Sequence, residues 1–138
     1  MIAVLAVAGT ACNSGRHSSS AFHLPPDGDA ERGKAAFLAM GCHSCHTVSG
    51  VDLPQPTVQP PVPVILGGRV SERLSDAYLV TSIVYPSYAL APYPKDQITS
   101  GGRSRMTHDL DHMTVRQLAD IVAFLQSRYS VPRLETLR

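Results

Sequence analysis

The sequence predicts a small all-α domain whose helices are joined by long proline-rich loops. Three observations lead to that class. Near the C-terminus, apolar residues recur at helical spacing behind a capping-box pair. Two earlier segments carry helix start and stop signals of their own. Between these segments fall most of the 11 prolines, and nothing there alternates as a strand does.

Composition sets the outer limits. A chain of 138 residues is long enough for one domain. Its hydrophobic fraction of 43% is ordinary, but aromatic residues make up only 6% and Trp is missing, so side chains alone build a thin core. A large apolar cofactor would fill it. A formal net charge of +1 argues against nucleic acid, or a strongly anionic membrane, as the main partner. The 3 cysteines are too few for a disulfide scaffold, and they fall into two groups: Cys12 alone, and Cys42 with Cys45.

Residues 1–11, MIAVLAVAGTA, are apolar or small throughout. As a helix they would span roughly 16 Å, about half of a bilayer core. They read as the apolar part of a secretory signal, which makes the chain an exported one. Residues 12–27 are rich in Ser, Pro and Gly without periodicity, the composition of a flexible tether. The folded domain is expected over 28–132, with 133–138 as a C-terminal tail.

Within that domain the first helix is predicted from about Ala30 to Met40. Asp27, Asp29 and Glu31 suit its positive N-terminal end, and Gly41 suits the C′ position. Gly33 and Phe37 lie one turn apart on one face. Residues 51–70 hold Pro54, Pro56, Pro60, Pro61 and Pro63 and are expected as extended loop. A second helix is capped by Ser75 and stops before Pro86, with Leu79, Val80, Ile83 and Val84 as its apolar stripe. Residues 86–105 return to loop. In the last helix Thr114 and Gln117 form the capping box, and Met113 and Leu118 stand as a hydrophobic staple. Val115, Leu118, Ile121, Val122 and Leu125 follow at helical spacing, and Pro132 marks the expected end.

The chemistry lies in Cys42-His43-Ser44-Cys45-His46, a C-x-x-C-H haem-attachment sequence. Two thiols at this spacing on a helical turn reach the two vinyl groups on one edge of a porphyrin, and the next residue aims its imidazole at the iron. A thioredoxin-like redox pair would need a βαβ context, and a zinc site a second thiol pair; the sequence offers neither.

These residues resemble the class I c-type cytochromes, over about residues 28–129. In that family a first helix, just before the haem motif, crosses a C-terminal helix through a Gly and an aromatic residue. Gly33, Phe37, Ile121 and Phe124 stand at those positions, and QLADIVAFLQS looks like the family's last helix. The resemblance implies three to four helices wrapped around one covalent haem c, bonded at Cys42 and Cys45 with His46 on the iron. It implies a Met as sixth ligand on the loop before the last helix. Met106 stands at the fitting distance ahead of Phe124, while packing explains Met113; His108 and His112 are further imidazole candidates. The segment PPVPVILGGR resembles the family's Gly-Pro-x-Leu stretch, where a Pro carbonyl accepts a hydrogen bond from the proximal imidazole, and this suggests Pro61. Cys12 after the small-residue run resembles the lipid-attachment site of bacterial lipoproteins.

Together these features imply an electron carrier, not an enzyme, on the periplasmic side of the cytoplasmic membrane. It would be lipid-anchored at Cys12 and would serve, or belong to, a membrane respiratory or photosynthetic complex. The alternative is a haem enzyme or gas sensor with an open sixth iron position. Arg69, Arg103 and Arg105 are candidates for propionate pairing, docking or plain solvation. Tyr85, Tyr88 and Tyr93 either line the haem pocket or pack locally. His17, His23 and His43 are expected on the surface.

Overall fold

The computed structural model describes residues 24–25, 27–88, 90–106 and 110–132. The signal segment, Cys12, His17, His23, His108 and the C-terminal tail lie outside the described residues. Four helices make the frame: α1 (Ala30–Ala39), α2 (Asp76–Val84), α3 (Lys95–Ile98) and α4 (Val115–Gln126). None of the described helices is long and apolar enough to cross a membrane.

Helix α1 starts where the carboxylate of Asp29 accepts from the Arg32 amide, and Glu31 adds favourable charge to its first turn. It ends as Met40 N–H donates to Ala36 O (2.8 Å) and Gly41 N–H to Leu38 O (3.0 Å), with Gly41 at a left-handed φ of 71°. Helix α4 carries both bonds of its capping box between Thr114 and Gln117. It stops at Gln126, well before Pro132. Ser127 Oγ donates to Phe124 O (2.6 Å), Arg128 N–H closes on Leu125 O (2.9 Å), and the chain turns into strand pairing. Tertiary pairing, not proline, ends this helix.

Helices α1 and α4 share the principal interface of the molecule. Phe37 and Phe124 meet edge to face there, with ring centroids 5.7 Å apart at 62°. Gly33 permits the crossing. A Cβ on it would fall on the main-chain carbonyl of Asp120 and within 2.7 Å of Phe124 Cβ. The core continues through Ala36, Val48, Leu79, Ile83, Ile121, Val122 and Leu125, with Val80, Val84, Met113 and Leu118 packed against it.

The proline-rich loops are pinned by residue pairs too short to show any periodicity. Strand β1 (Thr47–Val48) runs parallel to β2 (Ile65–Leu66), and β3 (Gly68–Arg69) runs parallel to β6 (Tyr129–Ser130). An antiparallel hairpin joins β4 (Thr99–Ser100) to β5 (Arg103–Ser104). The sequence announces neither these pairs nor α3 within its loops. Each forms because another segment supplies its partner, or because a single turn closes on itself.

One buried charge ties the frame together. Asp120 on α4 is only 3% exposed. Its carboxylate accepts from Asp29 N–H (2.8 Å) and from the Arg32 guanidinium at Nε and a terminal nitrogen (both 3.0 Å). These bonds replace the water it loses. The same bonds, the Arg32 side chain foremost, hold its carboxyl below the ordinary carboxylate range.

Candidate functional site

The turn after α1 builds the site. Cys42–Ser44 form a 3₁₀ turn, closed by Ser44 N–H to Gly41 O (3.0 Å), Cys45 N–H to Cys42 O (3.3 Å) and His46 N–H to Cys42 O (3.0 Å). Ser44 Oγ adds a bond to Gly41 O (2.6 Å). In such a turn residues three apart eclipse one another, so Cys42 and Cys45 stand on one edge. Both thiols are free and half-buried. Burial pushes the Cys42 thiol up from its ordinary range. His43, expected on the surface, is half-buried in this turn, and its Nδ1 is buried without a protein partner.

His46 is oriented by the loop that follows. Its Nδ1 lies 3.0 Å from Val64 O. A carbonyl can only accept, so the contact puts a proton on Nδ1, and in the neutral imidazole the lone pair then lies on Nε2, where a metal can bind. The register explains the match. Strand β1 pairs Thr47 with Ile65 and Val48 with Leu66, which brings the preceding residues, His46 and Val64, opposite each other. The loop is tied to the turn a second time by Val58 N–H to Ser44 O (2.9 Å). An open cavity of about 320 Å³ remains beside Cys45, walled by Thr47, Pro56, Val58, Pro63 and Val64.

Pro61 does not take the expected role. It is exposed on the loop, and Val64, further along, offers the carbonyl. The physical reason is the β1–β2 register, which selects whichever carbonyl stands opposite His46, whatever its side chain. Met106 is half-buried just after β5, its amide bonded to Ser104 Oγ (3.1 Å). Met113 packs against the core, as its position before the helix cap suggests. Tyr85 and Tyr88 are exposed and pack on each other at 5.9 Å. Arg69, Arg103 and Arg105 are exposed, and the Arg105 guanidinium reaches Asp96 O (3.4 Å).

The comparison with protein families completes the picture. The family model for cytochrome c matches residues 30–128, which is more than half of the chain. The chain belongs to the cytochrome c family. No curated protein and no solved structure shows a significant match. Its α1–α4 crossing and the turn between them are the frame of a class I cytochrome c. Membership makes it a haem-binding electron-transfer protein that uses covalent haem c, and such proteins are generally carriers, not enzymes.

The residues present fit that group. Two free thiols on one edge of a turn suit two thioether bonds, and an imidazole with its proton fixed on Nδ1 suits iron at Nε2. Among the described residues no cluster of three or more His, Cys, Asp or Glu could hold a bare metal ion. A haem iron would be held instead by its macrocycle, with protein side chains completing its ligation. Sequence reading missed Val64, Ser87, Ser104 and the Asp120–Arg32 pair. The first acts through its main chain, which carries no residue signature. The others depend on partners distant in sequence or on local loop geometry.

Proposed function

We propose that the chain is a one-electron carrier whose single haem c is bonded through Cys42 and Cys45 and ligated by His46 and Met106. The observation that supports it most directly is the contact of His46 Nδ1 with Val64 O, which orients the imidazole and, in its neutral form, presents Nε2 as the ligating atom. When bound, the haem would supply a one-electron redox centre between a donor and an acceptor. The chain's own work is to orient the imidazole, to fill the sixth position with a thioether, and to cover the group with proline-rich loops. A filled sixth position leaves no place for substrate, and thioether ligation favours ferrous iron relative to a second imidazole.

Export is supported by the apolar run at 1–11, and lipid attachment at Cys12 by the small residues before it. The domain would then work on the periplasmic side of the cytoplasmic membrane. There it would exchange electrons with a respiratory or photosynthetic complex, or form its haem subunit. Mass measurement on the mature protein should show one haem and an acylated N-terminal Cys12. Adding carbon monoxide to the reduced protein tests the filled sixth position. Slow or partial binding is expected, and rapid, complete binding would overturn the carrier reading.

A further inference from the structure

The loop carrying Met106 contains a device that nothing in the sequence motif requires. Strands β4 and β5 form a hairpin closed by Gly101 and Gly102, at φ 57° and 78°. Positive φ at both turn positions is what a two-residue hairpin of type I′ needs. Its register pairs Ser100 with Arg103 and Thr99 with Ser104, and Arg105 N–H donates across to Ile98 O (2.9 Å). Amides alternate in direction along a strand, so with Arg105 facing the partner, Ser104 and Met106 direct theirs away. Amides directed away from the ladder must find other acceptors.

Both find a serine hydroxyl. Ser104 N–H donates to Ser87 Oγ (3.0 Å), and Met106 N–H donates to Ser104 Oγ (3.1 Å). Ser87 lies in the turn that leaves α2, where Pro86 is buried and Tyr88 N–H closes on Tyr85 O (2.9 Å). A short connected path therefore runs from the end of α2, through the hairpin, to the main chain of Met106. Ser87, Ser104 and Met106 are all half-buried, which partly shields these bonds from water.

We propose that Ser104, backed by Ser87, is a positioning residue for Met106, fixing the methionine backbone so that its sulfur stays available to the iron. The proposal rests on Met106 being the sixth ligand. A thioether is a weak ligand that competing donors displace once its loop is free to move away. Losing the anchor should therefore appear as easier replacement by an added ligand, with the fold intact.

The test uses the oxidised holoprotein and free imidazole as the competing ligand. The readouts are the weak red absorption band of thioether-ligated ferric haem, the imidazole dissociation constant, and far-ultraviolet melting. S104A should keep its helical signal, weaken the red band, and bind imidazole about five- to tenfold more tightly, as expected for one lost hydrogen bond. S104T restores a hydroxyl and should stay within about twofold of the parent. S87A should shift affinity in the same direction as S104A by freeing the hairpin from the other end. Parental imidazole affinity in both alanine variants, or an S104T variant that binds imidazole as tightly as S104A, overturns the positioning role. A parent protein without the red band, together with an M106A variant that binds imidazole no more tightly, overturns the ligation reading itself.

Discussion

His46 takes its orientation from a main-chain atom, so the identity of the residue offering that atom matters little. Val64→Ala keeps the carbonyl and the β1–β2 register, and should leave the midpoint potential and the haem spectrum unchanged. A shifted potential in a redox titration would mean that the Val64 side chain itself acts on the site. Met106 is the opposite case, since its side chain is the proposed ligand. Met106→His should lower the potential by ~0.1 V or more, within the ~0.8 V range that axial ligands span, and should remove the red band. Retention of both would move the sixth ligand elsewhere.

Two helices meet where one of them lacks a side chain. Gly33 on α1 lies against the Asp120 carbonyl of α4 so closely that any Cβ must push the helices apart. Phe37 and Phe124 then lose their edge-to-face contact, and the helices lose the face that carries most of the core. Gly33→Ala should cost about 3 kcal/mol, the upper part of the usual range for overpacking. In a domain of this size that lowers the thermal midpoint by roughly 10–20 °C. An unchanged midpoint would show that the crossing can relax without loss. Asp120 serves the same interface twice, with its carbonyl against Gly33 and its carboxylate on the Asp29 amide at the start of α1.

Across the whole molecule, acid should act through that buried carboxylate. Its folded-state pKa is depressed by Arg32, by the Asp29 amide and by the nearby positive charges. The sign follows from linkage. Asp120 contributes stability that is fully present above the unfolded carboxylate value of about 4 and is lost as pH falls below it towards the folded value. Urea unfolding of the holoprotein should therefore weaken over that acidic range. Asp120→Asn should be less stable than the parent at pH 7, with the gap closing as the pH drops below about 4. A gap that stays constant with pH would assign the role to packing and not to charge.

Several of these features are legible in the amino-acid sequence by itself, and the reason is range. The proposed haem attachment at Cys42, Cys45 and His46 needs only covalent spacing along a few residues, so the motif alone suggests it. Helices α1, α2 and α4 announce themselves through caps and apolar spacing, both local signals. Resemblance places Gly33 and Phe37 at the helix crossing, and the packing bears that out. Only tertiary structure could choose Val64 over Pro61, because every residue of the loop offers a like carbonyl and register alone selects one. The same holds for the early end of α4, the Asp120–Arg32 pair and the Ser87–Ser104–Met106 path. Each joins main-chain or short polar groups whose partners are set by where distant segments land, and no periodicity in the chain records that.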